Sequence, residues 1–424
     1  MFETIKNAFG TKEIRVKIWA TLLLLLVYRI GCFVPVPGIS VIDIRKLVEA
    51  GSFLSVISAI TGGSLSQGTL FALGIIPFIN SFIIMQLLTL IIPKLEEMSK
   101  DGEEGRKKIT QITRYVAIVL GVIQAIGIAF MWKDYIEPIY GMQKNWLAMI
   151  YVIVMLVGGS VMVMWLGERI TEYGIGNGTS LIIFVGILST AGTSLLNAFR
   201  TVPTDPNKLW NIFGFLILVV ALFAFIVFMD GGERRITVQY AKQVKGNKMY
   251  GGQTTFIPIR VNASGVMPII FASSILMLPT MILSFWKNEN HWFYKVLRLF
   301  SVQGVFYAVI YFVLIIGFAY FYATIQFNPI EMANNLRKNG GAIPGIRPGK
   351  STSDFISKIL SRITLMGAIF LSVIAILPIL IGSVGGINIS LGGTSVLIMV
   401  GVALDTVRNL ESQMMMRHYK GFLD

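Results

Sequence analysis

The chain has 424 residues, of which 54% are hydrophobic and 14% are charged, and its mean hydropathy is +0.72. Because an ordinary soluble domain is roughly a quarter charged, this composition excludes such a domain as well as a disordered or collagen-like chain. The single cysteine, Cys32, excludes an internal disulfide, and the two histidines, His291 and His418, leave little for a metal cluster. The net charge is +14, so the position of the basic residues carries information.

A bilayer core takes about 20 mostly apolar residues per helix, and ten stretches of the chain qualify. They are 17–34, 69–92, 110–131, 146–167, 179–199, 209–229, 264–285, 301–323, 361–382 and 391–409. The first stretch could be a signal peptide, but it lacks a small-residue cleavage site, which favours a retained helix. The sequence therefore predicts an all-α polytopic membrane protein with ten transmembrane helices.

Lysine and arginine indicate which side of the membrane each connection faces. With the N-terminus inside, most of the 36 Lys and Arg residues fall on the inner side, including Lys6 and Lys12 before the first span and Arg417 and Lys420 after the last. Because basic loops stay in the cytoplasm, we predict that both termini are cytoplasmic.

Residues 52–67 are too apolar for a free outer loop and too short to span a membrane. Four apolar side chains recur there at helical spacing, namely Phe53, Val56, Ile57 and Ile60. Gly62 and Gly63 follow, which predicts a short amphipathic helix ended by glycine. This helix either lies flat on the outer membrane surface or folds back into a vestibule inside the protein, and the sequence leaves both alternatives open.

Uncharged polar residues interrupt some of the apolar spans. They are Asn80 and Gln86 in the second span, Gln124 in the third, and Ser273 and Ser274 in the seventh. In lipid such groups usually hydrogen-bond between helices, so they are either structural contacts or part of a seam that can open. Pro77, Pro268 and Pro279 lie in the second and seventh spans and permit bending.

Ten spans divide into two sets of five, and an odd number per set places the two sets in opposite orientations, as in inverted repeats. We predict an N-terminal half over 1–200, a connecting loop over 201–208, a C-terminal half over 209–409 and a tail over 410–424. Two local matches support this division. They pair Gly74-Ile75-Ile76-Pro77 with Gly265-Val266-Met267-Pro268, and Gly178-Thr179-Ser180 with Gly393-Thr394-Ser395.

The matched motifs also pair isoleucines across the two halves. Ile79 corresponds to Ile270 and Ile183 to Ile398, while Ile75 lies one helical turn from Ile79. If these side chains meet near mid-membrane, they form a dry constriction that excludes water. Isoleucine on a membrane helix also commonly faces lipid, and spacing alone favours that alternative.

Two connections of the C-terminal half are much longer than the others. Residues 236–260 alternate apolar and polar side chains around glycines, which predicts a projecting hairpin. Residues 328–350 are rich in Asn, Gly and Pro, and 345–349 reads as a rigid turn. Projecting basic loops suit an RNA surface or an acidic protein face.

The chain lacks the residue patterns of catalysis. Its acidic residues near the membrane, Glu168, Glu172 and Asp405, lie towards the ends of spans rather than at their centres. Residues 174–178 are glycine-rich but lack the lysine of a phosphate loop, so a tight helix-to-helix turn is the better interpretation. With no Ser-His-Asp arrangement and no metal spacing, we predict that the chain is not an enzyme and binds no cofactor or metal.

Several motifs together resemble the SecY family of protein-conducting channels across nearly the whole chain. The matching runs are Tyr28-Arg29-Ile30-Gly31, Val34-Pro35-Val36-Pro37-Gly38, Phe71-Ala72-Leu73-Gly74-Ile75-Ile76-Pro77, Met164-Trp165-Leu166-Gly167-Glu168, Gly174-Ile175-Gly176-Asn177-Gly178, Phe327-Asn328-Pro329, Pro344-Gly345-Ile346-Arg347-Pro348-Gly349 and Gly392-Gly393-Thr394-Ser395. The resemblance implies an hourglass pore between two inverted five-helix halves.

The resemblance also implies where the working parts lie. An apolar pore ring corresponds to Ile75, Ile79, Thr179, Ile183, Ile270 and Ile398, which replaces the lipid-facing alternative for the isoleucines. Thr179 departs from the usual isoleucine and should make the ring slightly wetter. A plug corresponds to about 53–66, with Phe53, Leu54, Val56, Ile57, Ile60, Gly62 and Gly63. A lateral gate between spans two and three and spans seven and eight corresponds to Asn80, Gln86, Gln124, Ser273 and Ser274.

The two long loops correspond to a docking surface for the SecA motor ATPase or the ribosome. Its candidate residues are Arg347, Lys242, Lys245, Lys248, Arg260 and Lys338. Asn247 stands where a second basic residue is common, which puts the strength of ribosome contact in doubt. Further implied partners are the SecE and SecG subunits, signal peptides and nascent polypeptides, the lipid bilayer, the YidC insertase and SecDF. The implied location is the bacterial cytoplasmic (inner) membrane.

The implied activity is transport of unfolded secretory polypeptides across the membrane and sideways release of transmembrane segments into it, driven by the partner. Three rival functions remain to be separated from it by experiment. A secondary transporter shares the inverted repeat and would take up solute alone, and a lipid-modifying enzyme would turn over without partners. A structural scaffold would be indifferent to changes in the ring.

Overall fold

The computed structural model describes residues 11–50, 52–136, 145–201, 207–240, 243–245, 248–250, 254–262, 265–285, 292–298, 305–385 and 393–418. The helices of the N-terminal part are α1 (Lys12–Gly31), α2 (Val41–Ala50), α3 (Ser52–Ile60), α4 (Ile76–Ile91), α5 (Pro93–Lys100), α6 (Gly102–Met131), α7 (Asn145–Tyr173) and α8 (Gly178–Thr201). A single 3₁₀ turn, Lys133–Tyr135, follows α6.

The C-terminal part adds a small sheet to its helices. In chain order the elements are α9 (Asn207–Asp230), β1 (Glu233–Tyr240), β2 (Gln243–Lys245), β3 (Lys248–Tyr250), β4 (Thr254–Arg260), α10 (Met267–Phe285), α11 (Trp292–Arg298), α12 (Val305–Gln326), α13 (Pro329–Lys338), β5 (Gly341–Ala342), α14 (Lys350–Gly385) and α15 (Gly393–His418). The fold is therefore predominantly helical, as predicted, with a sheet that the fold class did not include.

Each of the ten predicted spans coincides with a helix, namely α1, α4, α6, α7, α8, α9, α10, α12, α14 and α15. Among the described residues, five helices are long and apolar enough to cross a membrane, lying within 102–131, 146–173, 178–196, 306–338 and 350–377. The pair α4 and α5, bent by 101°, makes a sixth if it is one span. The chain is therefore a multi-pass membrane protein. The count of ten spans comes from the positions of the helices and not from their length and hydropathy.

The second span begins later than predicted. Residues 61–75 form successive turns, and α4 starts only at Ile76 rather than near residue 69. The reason lies in the glycines of this segment, since Gly62, Gly63, Gly68 and Gly74 all adopt positive φ. A helix cannot continue through left-handed residues, so the chain reaches membrane depth as turns packed inside the protein.

The two long connections of the C-terminal part form one folded unit, which we call the loop module. Strands β1 and β4 pair antiparallel from Glu233↔Arg260 to Gln239↔Thr254, which confirms the predicted hairpin. Strand β5 from the second connection joins the free edge of β1. One hydrophobic cluster unites the sheet with α13 and α14, and it contains Ile236, Val238, Ile259, Leu336, Ile343, Ile356 and Leu360.

Helix α13 lies where the sequence was interpreted as an Asn, Gly and Pro-rich loop. The Asn328 side chain accepts hydrogen bonds from the backbone N–H groups of Ile330 and Glu331, and Pro329 occupies the first turn. An asparagine N-cap followed by proline is a strong helix start. The two residues therefore begin a helix rather than a turn.

Candidate functional site

All five predicted ring isoleucines meet in one cluster at the centre of the protein, which we call the central cluster. Ile75, Ile183, Ile270 and Ile398 are 3 to 8% exposed within it, and Ile79 packs against it. They come from α4 and the turn before it, α8, α10 and α15, so both predicted halves contribute. Side chains more than 300 residues apart in sequence thus belong to one apolar cluster.

Thr179, the sixth predicted ring residue, lies in the first turn of α8 with its hydroxyl occupied. Its Oγ1 donates to Asn177 Oδ1 at 2.6 Å, and its backbone N–H donates to the same oxygen at 3.0 Å. The methyl group Cγ2 lies beside Gly167, next to the side chain of Ile75. Because the hydroxyl hydrogen is donated to Asn177, the threonine adds no free donor to the ring.

A cavity of about 410 Å³ opens beside the ring. Its walls come from α4, α6, α7, α8 and α10, and four predicted ring residues border it: Ile79, Thr179, Ile183 and Ile270. Its lining is mainly aromatic and aliphatic and also includes an ion pair between Arg114 and Glu168, with Nε and Oε1 2.6 Å apart. An apolar segment of polypeptide could therefore find mainly apolar contacts in this cavity.

A second cavity of about 200 Å³ shares Asn177, Ser180 and Met267 with the first. Its lining is mainly polar and comes largely from the C-terminal part, including Asp230, Asn262 and Asp405. Because they share lining residues, the two cavities adjoin, and we call the pair the funnel: the first cavity, with its mainly apolar lining, is its apolar side, and the second is its polar side.

The predicted plug segment is buried inside the protein rather than flat on its surface. Ser58, Ala59, Thr61, Ser64 and Leu65 are all less than a tenth exposed. Ile60 packs against the central cluster, whereas Leu54 and Leu65 belong to a second cluster built from the N-terminal part. Ile57 packs against that second cluster as well. Phe53 and Val56 lie in α3, but their side chains fall outside the described part of the chain.

Three elements hold the end of this segment. Gly62 has φ +70° and Gly63 has φ +85°, so the chain turns sharply after α3. Gly186 of α8 allows close approach, because a Cβ there would lie 2.7 Å from the carbonyl oxygen of Ile60. Thr190 of α8 donates to the Ala59 carbonyl at 3.1 Å, and Arg29 of α1 donates to the Gly62 carbonyl at 2.9 Å.

The predicted gate residues lie on α4, α6 and α10, which contact one another. The Oδ1 atom of Asn80 and the Oε1 atom of Gln86 are buried without a hydrogen-bond partner. Ser273 donates to the Ile270 carbonyl of its own helix, Ser274 is buried, and Gln124 is half-buried. Since an unpaired buried carbonyl costs about 1–3 kcal/mol, the helix α4 carries polar groups that a polar partner would stabilise.

The predicted docking residues are only partly described. Arg347 and Lys338 are exposed on the loop module, and exposed Arg260 of β4 also lines the polar cavity. Lys245 and Lys248 face each other across the β2–β3 pair, but their side chains are outside the described part, as is the whole of Lys242. The structure thus places Arg347, Lys338 and Arg260 on one folded unit.

Further residues of this region were not predicted from the sequence, namely Arg29, Gly186, Thr190 and the ion pair of Asp230 with Arg408. One signal was present, because an arginine within an apolar span is rare and usually has a specific partner. Within the described residues, no group of three or more His, Cys, Asp or Glu side chains is placed to hold a metal ion.

A sequence model of the SecY family matches residues 69–407. The chain is 41% identical over 430 residues to the protein translocase subunit SecY of Staphylococcus epidermidis RP62A, covering 100% of this chain and 99% of that one. It is 39% identical over 429 residues to the protein translocase subunit SecY of Staphylococcus aureus NCTC 8325, with the same coverage.

Solved structures share the fold at low sequence identity. One, described as a protein conducting channel, superposes with a TM-score of 0.66 at 20% identity and covers 94% of this chain and 92% of its own. Sec61 in a canine ribosome-channel complex superposes with a TM-score of 0.62 at 19% identity and the same coverage. These two likenesses support the fold alone.

Proposed function

The chain belongs to the SecY family and is a channel-forming protein translocase subunit rather than an enzyme, and from this premise we propose how its residues conduct a polypeptide. The pore runs between an N-terminal half over 1–200 and a C-terminal half over 209–409, joined by 201–208 and followed by the tail 410–424. Unfolded secretory chains pass through this pore, and sufficiently apolar segments leave it sideways into lipid.

The observation that carries the proposal is the convergence of the five ring isoleucines in one buried cluster beside the funnel. Branched apolar side chains leave no favourable position for an ion or its water shell. They can nevertheless move apart around an extended polypeptide, because apolar contacts are non-directional. Ile75, Ile79, Thr179, Ile183, Ile270 and Ile398 are therefore the proposed waist.

The proposed plug over 53–66 supports the closed state, since α3 and the turn after it fill the space next to the central cluster. The proposed lateral gate is the seam where α10 meets α4 and α6. An apolar signal helix entering the apolar side of the funnel would replace helix contacts there with its own. Asn80 and Gln86 would be available to polar groups of the substrate because their oxygens have no partner in the closed structure.

No step on this chain makes or breaks a covalent bond, so the driving energy comes from a partner. We propose that the loop module docks the SecA ATPase or a ribosome through Arg347, Lys338, Arg260 and the basic tip with Lys242, Lys245 and Lys248. SecE and SecG are the proposed membrane subunits, and YidC and SecDF are further proposed partners. The proposed location is the bacterial cytoplasmic membrane with both termini inside, since most basic residues then face the cytoplasm.

Photocrosslinking tests the proposed path. A photoreactive amino acid at Ile79, Ile183 or Ile270 is expected to crosslink a secretory protein stalled in transit, because the polypeptide must touch the narrowest part of the pore. Val154, which is 62% exposed on α7, is the matched control and should give no adduct. Equal labelling at Val154 and at the ring, or labelling at none of the ring positions while the stalled substrate is protected from protease, would contradict the proposed path.

A further inference from the structure

Arg29 is a charged residue in the middle of an apolar environment. It lies near the end of α1, between the exposed apolar side chains of Leu26 and Ile30. Its guanidinium carbon lies 4.7 Å from the centre of the Phe33 ring, and no carboxylate of the described residues forms an ion pair with it. A charge in such surroundings is costly without a partner. Among the described residues, the hydrogen-bond partner of Arg29 is a backbone carbonyl oxygen.

That hydrogen bond goes to the end of the plug helix. Arg29 Nη1 donates to the carbonyl oxygen of Gly62 at 2.9 Å. The backbone N–H of Gly63 donates to the Ser58 carbonyl at 2.7 Å, and this bond caps the end of α3. The C-terminal end of a helix carries partial negative charge. A guanidinium at this position is therefore attracted both by the carbonyl and by the helix end.

Most of the other contacts of this helix end also come from the N-terminal half. Gly186 and Thr190 of α8 contact Ile60, Gly62 and Ala59, and a Cβ at Gly74 would lie 2.9 Å from the side chain of Thr61. From the C-terminal half, α10 contacts α3. Moving α10 away from α4 and α6 would remove that contact, but it would leave in place the hydrogen bonds from Arg29 of α1 and Thr190 of α8.

We infer that Arg29 is a positioning residue that holds the plug in the closed channel. Release of the plug then requires breaking the bond from Arg29 to Gly62 as well as opening the seam. This inference rests on the proposed function, since it assumes that 53–66 blocks the pore. It predicts that a signal peptide opens the channel in two separable events, seam opening and release of the Arg29 contact.

The test is ion conductance across planar bilayers containing the whole chain with SecE, comparing Arg29→Met, Arg29→Lys and wild type. Hydrogen bonds to charged groups are strong enough that losing one shifts an equilibrium by about tenfold, so Arg29→Met should raise the open fraction by about that factor. Arg29→Lys keeps a charged donor and should stay closer to wild type. The matched control is Lys17→Met, which removes a positive charge from the same helix where Lys17 donates to Gln413.

A second readout separates plug movement from general loosening. Thr61→Cys, in a chain carrying Cys32→Ser, should be labelled faster by a membrane-impermeant thiol reagent from the outer side when Arg29→Met is also present. The role of Arg29 would be overturned if Arg29→Met changed neither the conductance nor the labelling while a deletion of 53–66 did leak. That result would still support 53–66 as the plug. If the deletion is also silent, the proposed plug itself fails. A leak from Lys17→Met as large as that from Arg29→Met would also overturn the inference.

Discussion

Replacing Arg347 by glutamate is expected to lower partner-driven translocation by about a hundredfold while the channel stays folded and closed, since a central charged contact at an interface is worth about 2–4 kcal/mol. The reason lies in how the residue is presented. Gly345 and Gly349 have φ of +81° and +107°, and Thr352 Oγ1 donates to the Arg347 carbonyl at 2.9 Å. The turn is therefore held rigid while the Arg347 side chain projects into solvent.

The measurement is translocation of a model secretory protein into proteoliposomes driven by SecA, and separately by translating ribosomes. Lys358→Glu is the matched control, because Lys358 is also exposed and lies further along α14 with the same change in charge. Translocation by Arg347→Glu within about twofold of wild type would argue against Arg347 as the main docking contact, since a hot-spot residue changes binding by more than tenfold. An equal loss in Lys358→Glu would point instead to a diffuse charge effect.

Replacing Asp230 by alanine is expected to lower the free energy of unfolding by about 3 kcal/mol, because it leaves a partly buried arginine without its partner. Arg408 Nη1 lies 2.8 Å from Asp230 Oδ2, and Arg408 Nη2 donates to the Asp230 carbonyl at 3.0 Å. Asn262 Nδ2 donates to Asp230 Oδ1 at 3.2 Å. Asp230 thus joins the end of α9 to α15 and to the chain that leads from β4 into α10.

The side chain of Asp230 is 10% exposed and that of Arg408 is 28% exposed, which places the expected loss at the lower end of the range for buried pairs. Thermal unfolding in detergent, followed for Asp230→Ala, Arg408→Ala and the double variant, gives the coupling between them. The double variant should be less than additive, because removing both charges leaves no unpaired one. If the losses of stability in the two single variants add up to the loss in the double variant, the interaction between Asp230 and Arg408 contributes nothing to stability beyond the separate contacts of each residue.

The base of the hairpin lies next to this ion pair. The Val261 N–H donates to the Gly232 carbonyl at 3.0 Å, and α14 approaches this base closely at Gly367. Helix α10, which follows in the chain, carries Ile270 and the two predicted gate serines.

The repeated motifs predicted which isoleucines correspond between the two halves, whereas spacing alone favoured lipid-facing positions for them and only the resemblance to the SecY family implied that they converge. Matching Gly74 to Gly265 and Gly178 to Gly393 identified isoleucine pairs, and the structure brings those isoleucines into one cluster. Periodicity likewise predicted α3 and the hairpin, since both depend on neighbouring residues. Periodicity could not decide whether α3 lies on the membrane surface or inside the protein, because its position depends on contacts with α8 and α1.

Other features could not be predicted from the sequence because they depend on residues that are far apart in the chain. Asp230 and Arg408 are 178 positions apart, and nothing local marks them as partners. Strand β5 has two residues, which is too short for an alternating pattern to be visible. The hydroxyl of Thr179 donates to Asn177, a contact that only the turn geometry at the start of α8 reveals.

The most direct test of the account is ion conductance across planar bilayers containing the chain with SecE. We would compare wild type with a deletion of 53–66 and with a double variant that combines Ile79→Gly and Ile270→Gly. The control is a second double variant at exposed positions, which combines Ile84→Gly and Ile369→Gly. We expect wild type and the control to be silent and the other two to leak. If every variant stays silent while incorporation into the bilayer is verified, the assignment of pore and plug is contradicted, and a transporter or a scaffold becomes the better interpretation.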